Sequence, residues 1–286
     1  MNNLCNLCPN RCNVNRTKKV GVCGVNNNLK IAKYYLHPYE EPFISGKNGS
    51  GTIFFTGCSL KCVFCQNYEL SRNARGKEIS INQLVDIFKE LENQGAHNIN
   101  LVTATHYSDK IIKALEIYKP NIPIVYNTHA YEELDVLTEL NKYVDVYLPD
   151  LKFFSPEISF RYTGKRNYFD VAISCINFMA NKKIQFSDDD MMLKGTVVRH
   201  LVLPQNVNDS KKIIDALTDI KDKIYLNVMS QYTPFGDISN FPELKRKLTK
   251  REYETVIDYA ITCGFNNLLY QKQQSADTEY IPKWDF

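Results

Sequence analysis

A chain of 286 residues, 44% hydrophobic and 23% charged, has an ordinary globular composition and room for one large α/β domain with a small appendage. A net charge of +3 with no strongly basic stretch gives no footprint of a nucleic-acid-binding domain, and no apolar run is long enough to span a bilayer. The start, Met1-Asn-Asn-Leu-Cys5, lacks the basic and apolar regions of a signal peptide, so the nine cysteines read as metal ligands in a reducing cytoplasm.

Residues 1–45 differ from the rest and are read as a cysteine-rich metal-binding extension, with 46–286 as the core domain. Cys5-x2-Cys8-x3-Cys12 is followed by Cys23 inside Gly21-Val-Cys-Gly24, and Pro9 with the glycines points to tight loops. Four thiolates can close a tetrahedral site completely, and they suit zinc or a second iron–sulfur cluster equally. Arg11, Arg16, Lys18 and Lys19 read as a solvated basic face. Residues 36–46, with two prolines and a glycine, read as an extended linker. On spacing alone its two adjacent carboxylates, Glu40 and Glu41, read as surface charges.

Residues 51–57 form a short apolar run with strand character and glycine at both ends. The stretch Cys58-Ser-Leu-Lys-Cys62-Val-Phe-Cys65 follows at once. Thiolates at that density favour iron–sulfur clusters, zinc or copper. Three cysteines fill three corners of a cubane cluster and leave one iron open. A zinc knuckle is the rival, but it wants a fourth ligand nearby, and Gln66 and Asn67 are poor ones.

Beyond this loop strands and helices alternate. Ser80 and Gln83 make a capping box for a helix whose apolar face is Ile81, Leu84, Val85, Phe88 and Leu91, ended by Gly95. Strands are predicted at 98–103, 123–127, 144–148, 195–203 and 224–229, and a short further one at 265–271. Helices are predicted at 108–119, 131–140 and 168–182, around Ile213, Ile214, Leu217 and Ile220, and after Thr249. Six strands alternating with helices imply a parallel sheet, which gathers ligands at the C-terminal strand ends. Polar residues fall there: Thr103-Ala-Thr105-His106, Asn127-Thr-His129, Asp150-Leu-Lys152, Arg199-His200 and Ser230-Gln231. Three of five histidines at or near one rim are a sign of a site.

Together, the cluster loop, Thr103-Ala-Thr-His106, Pro149-Asp-Leu-Lys152, Arg199-His-Leu-Val-Leu-Pro204 and Met229-Ser-Gln-Tyr-Thr-Pro234 resemble the radical S-adenosylmethionine (SAM) proteins related to pyruvate formate-lyase activating enzymes. The likeness covers nearly the whole chain and is closest to a branch with an extra cysteine-rich N-terminus. It implies a partial (β/α)6 TIM-like barrel, with a [4Fe-4S] cluster held by Cys58, Cys62 and Cys65 and with SAM beside it. It further implies Asp150, Lys152 and Asn127 near SAM, Lys152 meeting the SAM carboxylate, and Arg199 in the same pocket. The family's usual Gly-Gly-Glu, which holds the methionyl amine, is replaced by Thr103-Ala-Thr105, so Thr105 and backbone carbonyls take its place.

The implied activity is reductive cleavage of SAM to a 5′-deoxyadenosyl radical that takes hydrogen from a substrate. By family analogy the substrate is a glycyl residue of a partner glycyl-radical enzyme; a small molecule or another protein side chain are the alternatives. Such an oxidoreductase needs a reducing donor of the flavodoxin or ferredoxin kind. Two other classes compete. An iron–sulfur electron carrier has no use for Asp150, Lys152 and Arg199 beside its cluster. A zinc-binding RNA module does not fit the near-neutral charge and the long α/β pattern.

Overall fold

Runs of apolar residues without polar alternation make strands that must be covered on both faces, which is the signature of a parallel sheet flanked by helices. Ile53-Phe-Phe55, Ile124-Val-Tyr126 and Val146-Tyr-Leu148 are such runs, and all of these residues are buried. The computed structural model describes residues 4–270 and Trp284. In chain order the elements are β1 (Leu29–His37), α1 (Pro42–Ser45), β2 (Ser50–Phe55), α2 (Tyr68–Ser71), β3 (Lys77–Ile79), α3 (Ile81–Asn93), β4 (Ile99–Val102) and α4 (Ser108–Ile117). Then come β5 (Ile124–Thr128), α5 (Leu134–Leu140), β6 (Val146–Pro149), α6 (Pro156–Thr163), α7 (Tyr168–Met179), β7 (Gln185–Phe186) and β8 (Met192–Leu201). The last are α8 (Val207–Leu217), β9 (Tyr225–Met229), α9 (Lys250–Thr262) and β10 (Leu268–Tyr270).

The sheet order is β10-β9-β8-β6-β5-β4-β2-β1-β3. Along this path every neighbour from β2 to β10 is parallel, and β7 pairs antiparallel with β8 beside it, so this is an α/β fold of the partial-barrel kind, with β10 and β3 at the two ends of the path among the described residues. The six predicted strands are β2, β4, β5, β6, β8 and β9, and the further one is β10; the last residue predicted for it, Gln271, lies outside the described residues. The capping boxes at Ser80/Gln83 and Thr249/Glu252 start α3 and α9 as the sequence indicates. Leu84, Val85, Phe88 and Leu91 then pack into the core.

The linker reading of residues 36–46 is corrected. Leu36 and His37 end β1, which pairs antiparallel with β2, His37 opposite Ser50. Pro42 then opens a single helical turn, α1, where its missing N–H is no loss. Residues 38–46 thus start beside the beginning of β2, with the Ile44 carbonyl on Asn98 ahead of β4, and Glu40 and Glu41 reach Asn100, Asn127, Arg199 and Asn227 on the parallel strands.

Candidate functional site

The cluster loop leaves β2 through Gly57, whose φ is +89°. A Cβ there would sit 2.9 Å from both the Cys23 carbonyl oxygen and Val25 Cγ1, so only glycine fits. Cys58, Cys62 and Cys65 then line a cavity of about 260 Å³. Phe64 anchors the loop edge-on against Phe153, Tyr162 and Tyr232, with ring centroids 6.0, 5.9 and 6.2 Å away. The Cys58 sulfur accepts from the Leu60 and Lys61 N–H groups at 3.4 and 3.5 Å. Burial pushes the Cys58 thiol up to about 11 and Cys62 higher still, against the pull of the nearby Lys152 charge. The two buried thiols, Cys58 and Cys62, therefore need a cationic partner to ionise; soft metal chemistry supplies one, and the half-buried Cys65 lines the same cavity. This donor set fits the cluster that the resemblance implies.

Opposite the thiols lies a polar network centred on Arg199. Its Nε donates to Asp150 Oδ1 at 3.1 Å, its Nη1 to Glu40 Oε2 at 3.0 Å, and its Nη2 to Asn127 Oδ1. Lys152 Nζ donates to the other Asp150 oxygen at 2.7 Å. Burial works against the charge on Asp150, but Lys152 and Arg199 outweigh it and hold the carboxyl below its usual range. Burial likewise opposes the charge on Lys152, and Asp150 more than restores it. Asp150, Lys152, Arg199 and Asn127 all line the same cavity as the three cysteines, so the structure brings these predicted residues together.

Thr105 is not brought there. Its side chain is buried behind the strand end and donates to Glu132 Oε1 at 2.7 Å. Thr103 lines the cavity instead, with a left-handed φ of +57° that is costly for a β-branched residue. The backbone thus keeps the conformation of a glycine where the resemblance leads one to expect a glycine.

Glu40 and Glu41 are not surface charges. Glu40 accepts from Arg199 and from the amides of Asn100 and Asn127 at 2.9 and 3.2 Å, and Glu41 is buried with Asn227 Nδ2 at 2.8 Å. Two prolines around them disguised a strand-to-helix turn as linker. Tyr168 was also missed; its hydroxyl accepts from the Lys152 N–H at 3.0 Å and donates to the Asp150 carbonyl at 2.7 Å, fixing the turn that aims both side chains. A lone tyrosine in a helical pattern gives no such signal.

Of the three rim histidines, only His129 lines the cavity, hydrogen-bonded through Nε2 to Ser59 Oγ of the cluster loop at 2.8 Å. His106 bonds the Thr56 carbonyl at 2.7 Å, and His200 bonds the Leu151 carbonyl and Ser210 Oγ, both at 2.8 Å. Burial lowers all three, to about 4 for His129 and His200 and about 3 for His106, so they are neutral braces at neutral pH.

The N-terminal cysteines pack against the same rim. The Cys58 N–H donates to the Cys23 carbonyl at 3.1 Å, and Asn10 Nδ2 donates to the Ser59 carbonyl at 2.8 Å. A Cβ on Gly21 would lie 3.2 Å from the Cys23 sulfur and 3.5 Å from that of Cys12, so those two thiols flank one backbone position. Among the described residues no three His, Cys, Asp or Glu side chains gather tightly enough to hold a single metal ion. Arg16, read from sequence as solvated, is buried, with its Nη1 on the His106 carbonyl at 2.5 Å and its Nη2 on the Asn26 carbonyl at 2.6 Å.

A family model described as the radical SAM superfamily matches residues 52–217. An uncharacterized protein of Methanocaldococcus jannaschii is 32% identical over 265 residues, which is 90% of this chain and 74% of that protein. Streptococcus suis SuiB bound to S-adenosylmethionine superposes with a TM-score of 0.52 at 17% identity, covering 75% of this chain and 47% of that one. SuiB bound to its precursor peptide SuiA gives 0.53 at 16% identity, covering 75% and 46%. This chain spans a little under half the length of the SuiB chains, and at that identity the likeness is one of fold.

Proposed function

This chain belongs to the radical SAM superfamily, and from that premise we propose that it binds a [4Fe-4S] cluster and SAM in the cavity and takes a hydrogen atom from a substrate. The observation that carries the reading is the convergence of Cys58, Cys62 and Cys65 with Asp150, Lys152, Asn127 and Arg199 on one cavity at the C-terminal rim of a parallel sheet. When bound and reduced, the cluster supplies the electron that splits SAM into methionine and a 5′-deoxyadenosyl radical.

In this reading the three thiolates hold the cluster and leave one iron for SAM. Lys152 meets the SAM carboxylate as a compact point charge, and Asp150 keeps it ionised and in place. Arg199 ties Asp150, Asn127 and Glu40 into one rigid wall, so the site is preorganised. Phe54, Phe64 and Val102 line the cavity and exclude water from a reactive species.

We assign Cys5, Cys8, Cys12 and Cys23 to a second metal site, zinc or iron–sulfur, within a 1–45 extension to the 46–286 core, an extension whose later part, β1 with Glu40 and Glu41, joins the core sheet and its site. The Cys23–Cys58 backbone bond supports a structural or electron-relay role beside the cluster loop. A flavodoxin- or ferredoxin-like protein would supply the electron. The finer reading of the substrate, a glycyl residue of a partner enzyme, rests on the motif likeness to activating enzymes; Thr103-Ala-Thr105 departs from that pattern.

Anaerobically reconstituted protein, reduced with SAM, is expected to release methionine and 5′-deoxyadenosine. Cys62→Ala is expected to abolish that release. Lys152→Ala removes one charge-assisted contact and is expected to weaken SAM binding about tenfold or more with the cluster still assembled. Full turnover by Cys62→Ala would overturn the cluster assignment, and unchanged SAM affinity in Lys152→Ala would remove Lys152 from the site.

A further inference from the structure

A second cavity of about 370 Å³ opens beside the first, and the two share Tyr39, Glu40, Arg199, Met229 and Gln231. Glu41 and Asn227 line only the second. They are 6% and 7% exposed. Asn227 Nδ2 donates to Glu41 Oε1 at 2.8 Å, which fixes how both side chains are turned. Glu41 Oε2 and Asn227 Oδ1 are left buried with no hydrogen-bond partner among the described residues. Leaving such an oxygen unpaired costs about 1–3 kcal/mol, and here both belong to residues that line one cavity. Both are acceptors, so the wall asks for a group with several donors and no acceptor.

The charges point the same way. The two cavities are lined by three carboxylates, Glu40, Glu41 and Asp150, and by two cations, Lys152 and Arg199. Arg199 forms its ion pairs with Asp150 and Glu40, and Lys152 with Asp150, so Glu41 feels the Arg199 charge without a direct contact. No cation among the described residues forms an ion pair with Glu41. His37 does not fill the gap, because burial drops it to about 4 and keeps it neutral. Burial also raises Glu41 above the usual carboxylate range, and the Arg199 charge pulls it back only in part.

We propose that the second cavity anchors the substrate and takes a protonated amine or a guanidinium group, held by Glu41 and Asn227. The proposal rests on the first cavity being the SAM site, since Glu40, Arg199 and Met229 form the shared wall that sets the anchored group beside it. Ammonium and guanidinium are the side-chain chemistries that offer several donors, no acceptor and a positive charge. A free amine and a lysine or arginine side chain of a polypeptide share this chemistry.

The test uses the reconstituted full chain with SAM and measures binding of n-butylamine and butylguanidine against neutral butyramide and anionic butyrate. The cations are expected to bind about tenfold or more tighter than either isostere, the worth of one charged hydrogen bond. Glu41→Gln should abolish the preference, because its amide nitrogen would turn an acceptor into a donor. Nα-acetyl-lysine amide binding tighter than n-butylamine marks a polypeptide side chain as the source, and the reverse marks a free amine. Equal binding of cation and isosteres, or a preference that survives Glu41→Gln, overturns the proposal; if Glu41→Gln does not fold, the isostere series on the native chain decides alone. SAM cleavage is measured in the same samples. Cleavage without cation preference refutes the anchoring site alone, and cation preference without cleavage refutes the radical SAM reading of the first cavity alone.

Discussion

Glu132 stands behind the cavity wall rather than in it, and it couples the fold to pH. One of its oxygens, Oε1, accepts from Thr105 Oγ1 at 2.7 Å, from the Tyr126 hydroxyl at 3.3 Å and from Thr128 Oγ1. The other is buried without a partner among the described residues. Burial lifts its pKa from 4.5 to about 7, with the three hydroxyls pulling the other way. A carboxyl whose pKa is higher in the folded than in the unfolded state stabilises the fold fully below about pH 4.5, and that contribution is lost as the pH rises through about 7. The loss amounts to about 3 kcal/mol. Urea unfolding of Glu132→Gln against the native chain should therefore show the variant gaining about that much between pH 4.5 and pH 8. A difference that stays flat across this range would show that Glu132 is ionised throughout. At this scale the sequence was uneven. Cysteine spacing and the Asp150/Lys152 alternation mark their chemistry locally, because ligands and strand faces repeat over two or three residues. The partners of Glu40 and Glu41 lie on strands far along the chain, and Glu132 takes Thr105 from the turn after β4, so no local pattern records them.

Among the elements, the exit from β2 fixes the position of everything in the cluster loop. Gly57 holds a left-handed turn where a Cβ would meet the Cys23 carbonyl oxygen at 2.9 Å. Gly164, which closes α6, is also left-handed at φ +75° but has nothing within 4 Å of that position. Gly164→Ala should therefore cost only the backbone term, about 1 kcal/mol, while Gly57→Ala should cost that and the clash, about 2–4 kcal/mol in all. Equal losses in urea unfolding would show that the contact between Cys23 and the loop yields freely. The parallel strands were legible because each is an apolar run between turn signals, and α3 and α9 because their caps and apolar faces agree. β1 was not. Only its ends, Leu29, Ile31 and His37, are buried, while Lys33, Tyr34 and Tyr35 are half-buried, so neither alternation nor a continuous run shows. Pro38 and Pro42 then add breaker signals just where the chain turns into the site.

On the scale of the whole molecule, the cysteine-rich extension is stitched to the rim that carries the cavity. Cys23 bonds the start of the cluster loop, Asn10 bonds Ser59 within it, Arg16 bonds the carbonyl after β4, and Arg11 pairs with Glu133 ahead of α5 at 2.8 and 2.7 Å. Exposed pairs such as Arg11–Glu133 contribute little, whereas the buried Arg16 and the Cys23–Cys58 bond fix the register of the two cysteine sets. Two sets so close invite the question of which one meets SAM. Only Cys58, Cys62 and Cys65 line the cavity with Asp150, Lys152 and Arg199, and none of the four N-terminal cysteines does. A closed set of four thiolates leaves no position for an exchangeable ligand, whereas a set of three does. The double variant Cys5→Ala/Cys8→Ala should therefore lose one complement of iron or zinc and keep the Cys58 cluster with SAM still bound. Its SAM cleavage separates the two roles of the extension: near-native turnover with a chemical reductant but slow turnover with a protein donor marks a relay, and equal turnover with both marks a structural site. If SAM binding vanishes while the Cys58 cluster remains, the roles of the two cysteine sets are exchanged.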